Sequence, residues 1–274
     1  MLSWMKDLFG VDKPIIAMCH LQPLPGDPNY DAANGMQKVV ALARNDLRAL
    51  QDGGVDGIMF SNEFSLPYLT QIEPVTIGAM ARVIGELKSE IRVPYGVNCL
   101  WDPIASLDLA VAVDGQFIRE IISGVYASDF GLWNTNAGKT ARHRMSLGVQ
   151  HVRMLYNIVP EAAKYVAERD IGSIAKTTEF NCQPDAMCVS GLTAGEETDT
   201  QVLKIVKDSV KRTPILCNTG CTIDNIERQL SVADGAVCAT TFKEKGIFEN
   251  PVDAKRVKAF MDKVKSIRQR IGEG

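Results

Sequence analysis

Apolar residues in this chain gather in short dense runs, separated by longer stretches in which they recur every third or fourth position. Eight of the runs are β-like, most opening near a Pro, Gly or Asp and ending in polar residues. They are PIIAMCHL (14–21), GIMFSNE (57–63), PYGVNCLW (94–101), GQFIREI (115–121), HVRMLYNIV (151–159), DAMCVSGL (185–192), TPILCNTG (213–220) and GAVCATTF (235–242). Between them, GMQKVVALARNDLRALQDGG, VTIGAMARVIGELKSEI, TQVLKIVKDSV and VDAKRVKAFMDKVKSI have helical spacing. Nearly continuous apolar strands that alternate with helices imply parallel pairing covered by helices.

Eight such units, with no Pro/Ser/Gly-rich linker between them, predict an α/β fold: a single (β/α)8 TIM barrel over residues 1–274. Residues 1–12 are read as an N-terminal extension, and 122–147 as a long loop and helix after the fourth strand. An open doubly wound sheet is the alternative. It is disfavoured because the first strand runs into HLQPLPGDPNYD rather than a Gly-rich dinucleotide turn.

In such a barrel, function sits on the loops after the C-terminal strand ends. Those ends carry His20, Asn62, Glu63, Asn98, Asp102, Glu120, Asn157, Ser190, Asn218, Thr219, Thr240 and Thr241. Glu63, Asp102, Glu120 and His20 are the acid/base candidates, and Asn62, Asn98, Asn157 and Ser190 the substrate-binding ones. Simpler roles compete: Asp102-Pro103 suits a helix cap, Glu120 an ion pair with Arg119 or Arg142, and His20 a hydrogen-bonded rim residue. Asn218-Thr219-Gly220 after strand seven, with Thr240 and Thr241 after strand eight, occupy the positions where barrels of this type hold phosphate on backbone N–H groups. An ordinary turn followed by a Thr222 cap is the other reading, and Lys243 reads equally as a solvated charge. The aromatic stretch that contains Tyr126, Phe130 and Trp133 is expected either to cover the barrel mouth, with Trp133 stacking on a planar ligand, or to pack on a second subunit.

Composition narrows the function classes. A formal net charge of -3 argues against a duplex nucleic-acid binder, which would need a concentrated cationic surface. No apolar run is long enough for a secretion signal or a membrane span, so a cytoplasmic protein with no integral membrane segment is expected. The cysteines sit mostly inside apolar runs, as small core residues do in a reducing compartment. Cys217 and Cys221 are placed on opposite sides of a sharp turn, with no second pair at matching spacing, which disfavours metal or redox chemistry there. No cofactor is identified. Three carboxylates, His20 and the rim asparagines allow a divalent cation through oxygen ligands, without a spacing motif to support it.

The ordered motifs AMCHLQPLPGDP, GGVDGIMFSNEFSLPY, VNCLWDP, FIREI, YASDFGLW, VSGLTAG, NTG and ADGAVCATTFK resemble the BtpA family, most closely its SgcQ-type members, from about Asp12 to Ile267. The resemblance implies a ribulose-phosphate-binding type of TIM barrel. It also implies two kinds of function. Its SgcQ-type members belong to bacterial sugar-utilisation clusters with enzyme labels that include nucleosidase, whereas its photosynthetic members are associated with photosystem I biogenesis. The expectation is therefore an enzyme acting on a phosphorylated sugar or nucleoside-like molecule (nucleosidase, isomerase/epimerase or lyase), as a homo-oligomer in carbohydrate metabolism. The alternative is a non-catalytic assembly factor for a membrane complex.

Overall fold

The computed structural model describes residues 3–191, 196–218 and 220–272. Among them the strands are β1 (Ile15–His20), β2 (Gly57–Ser61), β3 (Tyr95–Asn98), β4 (Phe117–Glu120), β5 (Val125–Ser128), β6 (Gly131–Asn134), β7 (Arg153–Val159), β8 (Ala163–Tyr165), β9 (Ala186–Val189), β10 (Ile215–Asn218) and β11 (Gly235–Cys238). The α-helices are α1 (Ser3–Phe9), α2 (Gly35–Gly53), α3 (Pro74–Leu87), α4 (Pro103–Val113), α5 (Ala137–Ser146), α6 (Ile171–Cys182), α7 (Thr200–Ser209), α8 (Ile226–Val232) and α9 (Ala254–Gly272). Eight strands close into a parallel barrel in the order β1-β11-β10-β9-β7-β4-β3-β2. Every run expected to be a strand contributes one of them. The alternation of strand and helix leaves parallel closure as the arrangement that buries both faces of each strand.

The barrel has two separate apolar layers. Residues such as Ile15, Ala17, Ile58, Val97 and Cys217 point outward and pack against the helices. Ile16, Met18, Met59, Phe117, Leu155, Leu216 and Val237 point inward and meet Met5 and Phe9 of α1. The segment before β1 is thus a helix that plugs the N-terminal end of the barrel. Phe9 meets Phe117 edge-on with ring centroids 5.7 Å apart, and Trp4 Nε1 donates to the Asp185 carbonyl at 3.1 Å. Gly96 of β3 is required by this filling, because a Cβ there would run into the Phe117 ring and carbonyl.

Asp56, Asp185 and Asp234 lie at the N-terminal end of the barrel, each just before a strand. Asp56 accepts the Ile15 N–H at 2.8 Å and pairs with Arg268; Asp185 accepts the Met154 N–H at 2.9 Å and pairs with Arg144 and Arg153. Asp234 accepts the Ile215 N–H at 2.8 Å and pairs with Lys207 at 2.5 Å. These aspartates fasten the start of a neighbouring strand and satisfy N–H groups that the ladder leaves over. They are structural, which leaves the opposite end for chemistry.

The region expected as a long loop and helix after the fourth strand holds two short strands ahead of α5. β5 and β6 form an antiparallel hairpin, and β8, from the connection after β7, adds to its edge with Tyr126 opposite Tyr165. The hairpin buries Tyr126 and Trp133 with Leu100, Trp101 and Ile121. Gly131 sits at the hairpin turn with φ +104°, in the region that favours glycine.

Candidate active site

Strand alternation decides which side chains reach the interior above the apolar plug. At the C-terminal strand ends the inward positions turn polar, with Asn98, Arg119, Asn157, Ser190 and Asn218 joined in one buried network. Arg119 Nη1 donates to Asn218 Oδ1 at 2.7 Å and its Nη2 to Asn98 Oδ1 at 2.8 Å. Asn218 Nδ2 donates to Ser190 Oγ at 2.7 Å, and Asn157 Nδ2 to the same hydroxyl at 3.4 Å. Above this layer opens a cavity of about 320 Å³, lined by His20, Glu63, Trp101, Arg119, Asn157, Glu161 and Asn218 among others. Gly220, Thr222, Thr240, Thr241, Phe248 and Arg256 line it as well.

Glu63 follows β2, and its Oε2 accepts the Ser61 hydroxyl at 2.9 Å, while Tyr68 holds its backbone carbonyl at 3.0 Å. Burial raises the Glu63 carboxyl above the usual range; Arg119 and the Ser61 hydrogen bond oppose that rise and Glu161 adds to it. Two carboxyl groups thus face one enclosed space and influence each other, the arrangement that lets one hold a proton while the other is ionised.

His20 closes β1 and is 4% exposed, with its Nδ1 buried and without a hydrogen-bond partner. It lies 5.2 Å from Phe248 and 6.1 Å from Phe64, ring centre to ring centre. Burial first, then the charges of Lys243 and Arg119, press its pKa well below the usual histidine value, so the imidazole is neutral at neutral pH. A neutral ring offers one donor and one acceptor.

Of the residues expected at the site, His20, Glu63, Asn157, Asn218, Gly220, Thr240 and Thr241 come together around this cavity. Asn98 and Ser190 lie beneath it and position Arg119 and Asn218. The others stand elsewhere. Asp102 caps α4, its Oδ1 accepting from Ile104 N at 3.0 Å and Ala105 N at 3.1 Å, while Oδ2 accepts from Ile72 N at 3.2 Å. Its lone pairs are engaged in fastening backbone, which corrects its reading as an acid/base group. Asn62 Oδ1 accepts the Leu100 N–H at 2.8 Å, so it supports the rim from behind. Trp133 packs edge-on against Trp101 at 5.4 Å, and Trp101 is the indole that reaches the cavity. Thr219 lies outside the described residues.

Glu120 is corrected for a different reason. Arg119 and Glu120 are adjacent, so they face opposite sides of β4, and the arginine takes the inward side. Glu120 faces α4, where its Oε1 accepts from Asn98 Nδ2 and, at 2.9 Å, from Ser106 Oγ, and it pairs with neither Arg119 nor Arg142. Burial pushes its pKa well above the usual range, which favours its protonated form. Glu120→Gln preserves the neutral shape and the acceptor, so stability is expected to stay within about 1 kcal/mol, whereas Glu120→Ala should cost about 1–3 kcal/mol by orphaning Asn98 and Ser106. Thermal unfolding of the two variants checks this; equal losses would show that Glu120 is ionised.

Two further expectations change. Lys243 is not a solvated charge: it is 2% exposed, and its Nζ lies 3.1 Å from Asp46 Oδ2 on α2. Cys217 and Cys221 are not separated by the turn, since their Sγ atoms are 3.3 Å apart. The contact with Cys221, followed by burial, raises the Cys217 thiol well above its ordinary range. Among the described residues no group of three or more His, Cys, Asp or Glu is placed to hold a metal ion.

Gly220 has φ +66°, and a Cβ there would run into the Glu196 carbonyl, so the glycine is needed for the turn whatever it binds. Thr222 N donates to Asn225 Oδ1 at 2.8 Å, and Asn225 N donates to Thr222 Oγ1 at 3.3 Å. This reciprocal pair fixes the turn ahead of α8. Sequence reading overlooked Arg119, Glu161, Trp101, Phe248 and Arg256.

A closed parallel barrel whose C-terminal strand ends surround a polar cavity is the architecture shared by many enzymes. The chain belongs to the BtpA family, whose model matches residues 11–266. It is 59% identical over 268 residues to the sgc region protein SgcQ of Escherichia coli, covering 98% of this chain and 100% of that one. It is 29% identical over 257 residues to the photosystem I biogenesis protein BtpA of Synechocystis, covering 93% and 88%. Among solved structures, thiamine phosphate pyrophosphorylase from Pyrococcus furiosus superposes with a TM-score of 0.56 at 13% identity, over 93% of this chain and 96% of that one. Phosphoribosylanthranilate isomerase from the same organism gives 0.54 at 12%, over 93% and 99%. At such identities these two likenesses show the fold. No helix among the described residues is long and apolar enough to cross a membrane.

Proposed function

We propose that this chain is an enzyme that takes a small phosphorylated sugar or nucleoside-like molecule into the barrel mouth and moves a proton with Glu63. The observation that carries the reading is that Glu63 and Glu161 line one cavity with Arg119 at the C-terminal strand ends. A carboxyl group raised by burial holds its proton to higher pH than a free one, which suits it to the proton transfer that isomerisation, lyase chemistry or glycosidic C–N cleavage requires. Neutral His20 serves as a hydrogen-bonding partner to the reacting oxygen. In the C–N case Glu161 would orient a water while Glu63 protonates the departing base.

The phosphate end is assigned to the loops after β10 and β11. Gly220, Thr240 and Thr241 line the cavity there, with Arg256 at its mouth donating Nε to the Thr241 carbonyl at 3.0 Å. That bond holds the guanidinium beside the loop and leaves its terminal nitrogens for an anion. A cytoplasmic homo-oligomer without a required cofactor belongs to the same proposal. Exposed Leu132 and Val166 beside the three-stranded sheet support that sheet as the subunit contact.

Calorimetry against a panel of sugar phosphates and nucleotides tests the reading. Binding by the natural chain is expected, weakened about 10- to 100-fold by Arg256→Ala, in proportion to a lost charge-assisted contact. A panel with no binder would overturn the phosphate assignment.

A further inference from the structure

Arg119 is 5% exposed, yet both of its side-chain hydrogen bonds go to neutral amide oxygens, Asn98 Oδ1 and Asn218 Oδ1. Among the described residues it makes no ion pair, whereas the buried Lys243 and the half-buried Arg268 each have an aspartate. Removing a charge from water costs several kcal/mol unless an opposite charge or a ligand compensates it. The two asparagines fix the plane of the guanidinium without neutralising it. Glu63 and Glu161 face the same cavity, but Glu63 turns its Oε2 to the Ser61 hydroxyl instead.

A second observation lies beside it. Trp101, 8% exposed and part of the cavity wall, has its Nε1 buried without a partner. An indole N–H and a guanidinium are donors only. A cavity lined by a buried cation and by an indole whose N–H lacks a partner can take an anionic acceptor, and a planar carboxylate matches the fork of an arginine best.

We infer that the floor of the cavity is a carboxylate subsite, in which Arg119 and the Trp101 N–H bind the acidic end of a phosphorylated sugar acid. The inference rests on the proposed phosphate site, since it assigns the two ends of one ligand: the carboxylate on Arg119 and the phosphate by Thr240, Thr241 and Arg256. It narrows the substrate class from sugar phosphates in general to those with a carboxylate at the far end. Glu63 then stands between the two anchors, beside the carbon chain.

The test compares phosphoglycolate and phosphogluconate with ethyl phosphate and sorbitol phosphate, which keep the phosphate and lack the acid, and with glycolate and gluconate, which keep the acid alone. Calorimetry on the full chain should show the acid phosphate of the fitting length binding about 10- to 100-fold more tightly than its neutral counterpart, the range of a bidentate charged contact. Arg119→Met should erase that advantage, so that in the variant the acid phosphate binds no more tightly than its neutral counterpart. Trp101→Phe, which keeps the ring packing and removes only the N–H, should reduce it several-fold even if Arg119→Met fails to fold. Equal affinity for acid and neutral phosphates, or an advantage that survives both substitutions, overturns the carboxylate subsite and leaves the phosphate site standing. Acids that bind through Arg119 with no gain from the phosphate would keep the subsite and overturn the phosphate site. If none of the six compounds binds at millimolar concentration, both fall.

Discussion

Asp46→Ala is expected to lower the unfolding free energy by about 3–5 kcal/mol, the usual result of stranding one member of a buried ion pair. Asp46 Oδ2 lies 3.1 Å from Lys243 Nζ, and its Oδ1 accepts the Val252 N–H at 2.9 Å. Loss of the carboxylate leaves an ammonium group and an amide buried without partners. Both belong to the segment after β11 that also carries Thr240, Thr241 and Phe248 of the cavity wall, so ligand affinity should fall with stability. Urea denaturation measures the first effect. The exposed Lys6–Asp12 pair provides the comparison, because its disruption should cost no more than about 1 kcal/mol. A similarly small loss for Asp46→Ala would mean that Lys243 reaches water when its partner is gone. Asp46→Leu combined with Lys243→Met should recover part of the stability, since an apolar pair carries no desolvation cost.

The second large effect is on catalysis. Glu63→Gln keeps the shape of the side chain and removes its titration, and turnover should drop by about 100- to 10,000-fold, the contribution of a positioned acid/base group. Binding of the substrate should change little. The same substitution has a signature in stability that needs no substrate. The carboxyl is raised in the folded chain above its ordinary value of 4.5. From that pH up to the raised folded value, the folded state keeps a proton that the unfolded state has lost. Stability therefore declines as pH rises through this window and is fully present below it. Glu63→Gln removes this component, so the variant should gain on the natural chain as pH rises from the ordinary value of 4.5 through the raised folded value. Parallel stability curves for the two chains would show that Glu63 titrates normally and would remove the ground for its acid/base role.

The barrel was legible because eight apolar runs separated by helical spacing admit few other arrangements. The site was legible only in part, and the failures share a cause. In β4, Phe117 and Arg119 alternate with Ile118 and Glu120, and both sides of a barrel strand are apolar, one facing the plug and the other the helices. Nothing local determines which side is inward, so the acid was chosen where the arginine belongs. Asp102 posed the opposite case: its pairing with Pro103 already suggested a helix cap, and the cap is what it forms. Glu161 lay beyond the end of its run, and Arg256 and Phe248 lay beyond the last strand. They reach the cavity through the path of the connections, which periodicity does not encode.

The amino-acid sequence by itself determined the eight barrel strands, their parallel pairing and the end of the barrel at which polar groups collect, because those follow from hydrophobic period and chain order. Tertiary structure alone decided which polar groups face one another. Closing the barrel with α1 as its plug set the phase of every strand, turned Arg119 inward and Glu120 outward, and brought Glu161 from the connection after β7 to the cavity that Glu63 lines. Such pairings depend on distances between residues far apart in the chain, and only the closed fold specifies them.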